Sequence, residues 1–502
     1  MKTNTLDFDA QALREKILDL AMRGKLVPQD PNDEPASVLL EKIKAEKEQL
    51  IKEKKIKKSK PLAPITDEEK PFDIPDSWEW VRLGDICISN IGVTYKPSYK
   101  VEEPTKTKIL RANNIENNQL NNKKLVFLTL DTLPDKYYLK ENDILMAVRS
   151  GSKRLVGKSA VVTHDFANYS FGAFMSKIRV IQANSYFVDY FLNSLFFREQ
   201  LGDANTTTIN QITQSMINNF VIPFPPLSEQ SRIAAKIAQL FALLRKVESS
   251  TQQYAKLQTL LKSKVLDLAM RGKLVEQDPH DEPASVLLER IKTEKEQLVK
   301  KGKIRKSKSL PPITEDEKLF NLPQGWTWVK LNDVLALENG AIRRGPFGSS
   351  LKKSFFVPKS EDTYKVYEQG NAINHTINYG SYYISYQKYE ELQSFSIRPG
   401  DIIISGAGTI GKTYILPSNS PKGVINQALI RVRLNEQLIS KEYFLFAFKQ
   451  KVGLINKQAK GTAIKNMFSV THMKNDLVWA LPPLAEQKRI TKKIQNILSF
   501  VK

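Results

Sequence analysis

A 35-residue segment occurs twice in this chain, and that repeat limits the architectures open to it. KILDLAMRGKLVPQDPNDEPASVLLEKIKAEKEQL at 16–50 returns as KVLDLAMRGKLVEQDPHDEPASVLLERIKTEKEQL at 264–298, with 30 of 35 positions identical. The match runs on through a basic tract to IPDSWEWVRLGDI (74–86) and LPQGWTWVKLNDV (322–334). A second pair, FPPLSEQSRIAAKI (224–237) and LPPLAEQKRITKKI (481–494), is offset by 257 rather than 248, so the second copy carries nine extra residues between these anchors. Between the anchors the copies differ almost everywhere. A period near 250 residues is far too long for a solenoid, and it describes one scaffold presenting two diverged inserts. The chain divides into a helical region with a basic linker (1–75), a first variable domain (76–226), a central helical region with its own basic linker (227–323), a second variable domain (324–483) and a terminal helix (484–502).

No proline interrupts 227–278, and apolar residues recur there at 4,3 spacing: Ile233, Ile237, Leu240, Leu244, Val247, Tyr254, Leu261, Val265 and Leu268. This pattern predicts a coiled-coil helix of about 43 residues, roughly 65 Å at 1.5 Å per residue. Leu13, Ile17 and Leu20 near one end of the chain, and Ile490, Ile494 and Ile497 near the other, continue the phase. Aligned by the two offsets, the terminal helices together rebuild a second central helix. The expected architecture is therefore α+β: two mixed domains rich in strands, separated by long antiparallel coiled-coil helices in a circular pseudo-twofold repeat. Runs such as 143–148, 401–404 and 428–432 read as strands between Gly/Asn/Ser turns.

With 76 Lys+Arg against 54 Asp+Glu the formal charge is +22, which favours a polyanionic partner, nucleic acid first. No stretch approaches ~18 apolar residues, and Asp7 and Asp9 stand where a signal peptide would be apolar. A cytoplasmic protein without membrane contact is expected. Cys87 is single and the four histidines (164, 280, 375, 472) are scattered, so no zinc spacing exists. Residues 406–413, GAGTIGKT, match the phosphate-loop pattern letter for letter. That loop must open a helix, whereas YILPSNSP follows, so the expectation is a glycine-rich turn between strands. No methyl-transfer, nuclease or triad constellation is present, and a non-catalytic chain is expected. The basic tracts at 52–60 and 300–308 carry six cations each and read either as phosphate clamps or as solvated linkers.

Two domains that open on W-x-W-V-x-L (Trp78, Trp80; Trp326, Trp328) and close on P-P-L-x-E-Q-x-R-I (225–233; 482–490), held in a circular duplication, resemble the specificity subunit of type I restriction-modification systems. The likeness spans essentially the whole chain, including the turns after N-D-I (142–144) and G-D-I (400–402). It implies two target-recognition domains, each reading half of a bipartite double-stranded DNA site, and helices that set the gap and dock two methyltransferase subunits. It also implies association with restriction/translocase subunits through the complex, with S-adenosylmethionine, ATP and Mg held by partners and no cofactor on this chain. Two other readings stay open, an NTP-driven translocase and a coiled-coil adaptor that binds DNA without sequence preference.

Arg, Lys, Asn and Gln on turns suit bidentate contacts to base edges. The candidates are Arg111, Asn113, Asn114, Arg149, Lys153 and Arg154 in the first domain, and Arg343, Arg344, Gln369, Asn371 and Asn374 in the second. Lys158, Lys412, Lys457, Lys460 and Lys465 are the candidate phosphate contacts. The tryptophans read as packing anchors.

Overall fold

The computed structural model describes residues 8–58, 61–130, 132–150, 155–202, 211–306, 310–458 and 469–501, the side chains of 454–458 excepted. Contacts divide the chain into two compact units, one running up to Gln252 and the other from Gln253 onward. The division falls inside the central helix, Leu227–Met270, so each unit keeps one insert and half of that helix. The helix starts directly after Pro225-Pro226, and Glu229 in its first turn complements the dipole. It ends at Gly272, whose φ of +66° is the left-handed conformation glycine takes at helix ends. Gly24 closes the equivalent helix, Ala10–Met22, with the same φ of +66°. Among the described residues no helix is long and apolar enough to cross a membrane.

In the first unit Leu18, Ala21 and Met22 share one core with Ile233, Ile237 and Phe241 and with Leu39 and Ile43 of the helix Ala36–Lys52. In the second, Val265, Leu266, Ala269 and Met270 share a core with Ile490 and Ile494 of the helix Leu484–Ser499 and with Leu287 of Ala284–Lys300. Among the described residues the predicted seam is packed at both ends of the central helix. Val247 (44%), Tyr254 (57%) and Leu261 (43%) are exposed, while Leu240, Leu244 and Leu268 are half-buried. On the first helix Leu13 is 43% exposed and Ile17 and Leu20 are half-buried; the buried face lies one position further on. Among the described residues the partner helices pack against the two ends of the central helix. The predicted joining of the two chain ends lies outside the described residues.

Each insert is closed by the strand carrying its W-x-W motif. Glu79–Arg82 pairs antiparallel with Val221–Phe224, and Thr327–Lys330 pairs in the same way with Val478–Leu481. Within the inserts the sequences have diverged, but one of the two four-stranded sheets keeps its strand order while the edge strand of the other differs. One sheet runs Cys87–Ile91, Met175–Val180, Ile144–Ala147, Ser159–Val161 in the first insert and Ile342–Arg344, Leu429–Val432, Ile402–Ser405, Thr413–Ile415 in the second. A second four-stranded sheet in each contains a parallel pair, Thr107–Leu110 with Ser170–Phe171 and Tyr364–Tyr367 with Gly423–Ile425.

The aspartate of each N-D-I or G-D-I turn anchors this arrangement. Asp143 accepts from Arg179 at 2.6 and 2.7 Å, and Asp401 accepts from Arg433 at 2.8 and 3.0 Å. Two residues earlier on the same strands a buried cation feeds loop carbonyls: Lys177 donates to Tyr138 O (2.8 Å), and Arg431 to Gly340 O (2.7 Å) and Ser396 O. Burial pushes the Lys177 ammonium down to about 8.

The first unit also buries Asp189, which accepts from Ser159 Oγ at 2.6 Å. Burial raises its carboxyl to about 7, so between the unfolded value of ~3.9 and that value the native state holds a proton the unfolded chain has lost. This stabilisation is complete below ~pH 4 and is lost as pH rises through 7. Asp189→Asn keeps an acceptor for Ser159 and needs no proton. Thermal unfolding should show the variant gaining on the wild type at pH 8 and losing that advantage at pH 5; an equal shift at both values would show that the carboxyl does not titrate there.

Candidate nucleic-acid interface

The frame delivers the inserts through a tie that the sequence reading missed. Trp78 Nε1 donates to Glu229 Oε2 (2.8 Å), Gln29 Nε2 donates to Glu229 Oε1 (2.6 Å), and Arg232 pairs with Asp33 (2.6 Å). The second unit repeats it with Trp326 to Glu486 (2.8 Å), Gln277 to Glu486 (2.8 Å) and Arg489 to Asp281 (2.6 Å). Burial raises both glutamates above the usual carboxylate range, opposed by these donors. Gln230 and Gln487 cap the neighbouring loops, donating to Pro225 O and Pro482 O and accepting from Asn184 N and Ser440 N. The signal was present in the sequence as E-Q-x-R and W-x-W, each occurring twice, although the tryptophan and the glutamate it binds stand 151 and 160 residues apart in the two copies.

From that base the strand Thr107–Leu110 leads into the turn 111–115, and Tyr364–Tyr367 leads into 368–374. Each turn is pinned from inside by one fully buried asparagine. Asn114 Oδ1 accepts from Arg111 N (2.9 Å) while its Nδ2 donates to Asn121 O and Lys123 O. Asn371 repeats this with Glu368 N (2.8 Å), Thr376 O and Tyr379 O. Asn114 and Asn371 are thus scaffold residues and not base contacts, because every polar atom of either amide is taken by backbone. Lys158 is corrected as well: its ammonium, half-buried, donates to Ile115 O at 2.7 Å and braces the turn from below instead of facing a phosphate.

The exposed side chains on these turns remain the candidate contacts. In the first unit Asn113 and Arg149 are exposed, and the Arg149 guanidinium lies 5.3 Å from the ring of Phe174, itself 57% exposed. Arg111 is half-buried and donates to Lys124 O (3.0 Å). Lys153 and Arg154 lie outside the described residues. In the second unit Arg344 links two turns, donating to Gln427 O (3.0 Å) and Gly406 O (3.1 Å), with Phe347 at 5.4 Å. Gln369 sits against Gly408, and Asn374 and Lys412 are exposed. Arg343 points the other way, as alternation along a strand requires, and lies over Phe395 at 5.3 Å. Lys457 is in the helix Lys441–Gln458 with its side chain undescribed, and Lys460 and Lys465 lie outside the described residues.

Close approach of two turns fixes this surface in both units. A Cβ on Gly92 would fall 2.2 Å from Gly172 O, and one on Gly345 would fall 1.9 Å from Asn426 O. Phe174 and Phe347 escaped the sequence reading because a lone aromatic in a turn carries no pattern. Phe174 presents an apolar face beside the exposed Arg149 guanidinium, whereas the guanidinium beside Phe347 is already held by Gln427 O and Gly406 O. The GAGTIGKT segment leads into the strand Thr413–Ile415, and Ser405 Oγ accepts from Lys412 N (2.9 Å), so no helix opens there to hold a nucleotide phosphate.

The sequence model of the family described as type I restriction modification DNA specificity domain matches residues 75–258 and 323–501. The chain is similar to the type I restriction enzyme EcoAI specificity subunit of Escherichia coli, at 31% identity over 98% of this chain and 89% of that one. It is also similar to the EcoEI specificity subunit of Escherichia coli, at 30% identity over 97% of this chain and 89% of that protein. A solved structure concerned with complex assembly and conformational transition of the type I R-M system shares the fold, with a TM-score of 0.53 and 20% identity over 86% of this chain and 92% of that one.

Proposed function

Since the chain belongs to the type I restriction-modification DNA specificity family and is a DNA sequence-recognition subunit, we propose that each insert reads one half of a bipartite duplex site. The helices set the gap between the halves and dock two methyltransferase subunits, and restriction/translocase subunits join through the resulting complex in the cytoplasm. This chain is non-catalytic; S-adenosylmethionine, ATP and Mg belong to its partners. The observation that carries the reading is the pair of inserts with one sheet in the same order, one pinning asparagine each and different exposed residues on the same turns. That arrangement is a common reading frame for two unlike sequences.

Expressing the chain with its methyltransferase in a host free of adenine methylation and sequencing the methylome tests this. A single bipartite motif is expected, and exchanging residues 324–480 for another member's domain should change one half only. Change in both halves, or methylation by the isolated chain, would overturn the assignment.

A further inference from the structure

The basic tract of the second copy folds back to close a cavity of ≈ 230 Å³. Its walls are the helix Ala284–Lys300, the tract residues 304–306 and the loop 332–342, with Lys474 entering from the helix Val470–Asp476. Five cations line it: Lys292, Lys295, Arg305, Lys306 and Lys474. The two carboxylates in the lining are committed elsewhere. Asp333 accepts from Lys330 N (2.8 Å), and Glu338 pairs with Arg433 (2.8 Å) and Arg398 (2.9 Å). Lys292 lies 3.6 Å from Glu289, and among the described residues no carboxylate pairs with the other four. Burial, with Lys295 and Arg343 facing it, holds the Lys474 ammonium below its usual range.

The first copy shows what this crowding replaces. There Lys47, which aligns with Lys295, donates to Gly84 O (2.5 Å) and Asp85 O (3.2 Å), and buried Ile217 stands where the second copy has Lys474. The second copy has lost that bond and gained a cation beside it. Collecting uncompensated charge costs free energy unless an anion joins it.

We propose that this cavity binds a phosphate of the duplex backbone, outside the bases the inserts read. The proposal rests on the chain being a DNA-recognition subunit and makes the tract at 300–308 a clamp at its cavity end. A phosphodiester supplies one negative charge and acceptor oxygens for several ammonium and guanidinium donors, and its contact carries no sequence information.

The test uses the full chain in complex with its methyltransferase. Lys474→Ile restores the residue found in the first copy, and Lys306→Gln alters an exposed position that cannot unfold the protein. Binding is read by anisotropy against a 30-base-pair target duplex and a non-target duplex over a salt series. Each variant should weaken both duplexes alike, about eightfold at 0.1 M salt from a slope of ~0.9 per phosphate, and leave the methylated motif unchanged. An unchanged salt slope in both variants, or weakening confined to the target duplex, overturns the proposal. So does millimolar inorganic phosphate raising the thermal midpoint of the wild type but not of Lys474→Ile while duplex binding stays unaltered, because the cavity then serves free phosphate. A wild-type complex that fails to prefer its target would instead refute the recognition reading itself.

Discussion

Arg433→Ala is expected to cost about 3–5 kcal/mol, at the upper end for a single substitution. Asp401 is 2% exposed and accepts two bonds from this guanidinium, which also pairs with Glu338 at 2.8 Å. Removing the cation leaves a carboxylate in a site water does not reach, held by the Arg398 backbone N–H (3.0 Å) with the Arg398 guanidinium no nearer than 3.8 Å. Arg433→Lys should cost less, keeping the charge and losing the planar fork. Calorimetry should show the transition of the second unit falling while that of the first holds. A shift worth less than about 1 kcal/mol would show that Asp401 finds solvent or another donor once Arg433 is gone.

Inserting seven residues after Thr251 is expected to abolish methylation at the original site and create a new one whose spacer is longer by about three base pairs. Seven residues add ~10.5 Å of helix, and a base pair occupies ~3.4 Å of duplex. The position follows the bidentate Arg14–Glu248 pair (3.0 and 2.5 Å) and precedes Val265, so it touches neither packed end of the central helix. Seven residues turn the helix by only about −20°, whereas five turn it by about 140°. A broken seam would make the five-residue insertion destabilising, but the middle of the helix is exposed. The expected result is therefore loss of methylation with the thermal midpoint unchanged. If the seven-residue variant still methylated sites of the original spacing, the gap would have to be set by the partner subunits.

Repetition made the frame legible from sequence. Two copies of E-Q-x-R and two copies of W-x-W mark residues that must serve the same purpose twice, and the structure joins them through Trp78–Glu229 and Trp326–Glu486. The seam was legible at Ile233, Ile237, Ile490 and Ile494, which are buried, whereas Val247 and Leu261 are exposed, because heptad spacing records which face is apolar and not how much of it is covered. Candidate contacts were chosen by residue type, which cannot separate a buried amide from an exposed one. Asn113 and Asn114 are neighbours of identical chemistry; one is exposed and the other caps the turn beneath it. Arg343 and Arg344 are likewise adjacent and point to opposite faces of one strand.

The buried amides of Asn114 and Asn371 have a consequence for how such a protein changes under selection. Each turn is held by a side chain that faces away from solvent, so its shape is inherited independently of what it displays. Mutation at Asn113 or Asn374 explores new chemistry on an unaltered backbone, whereas mutation at the pinning residue removes the platform. Variation at the exposed positions of these turns therefore leaves the pinned backbone in place. Because the tie to the frame is the same in both units, a variant that arises in one lineage can be transplanted whole into another.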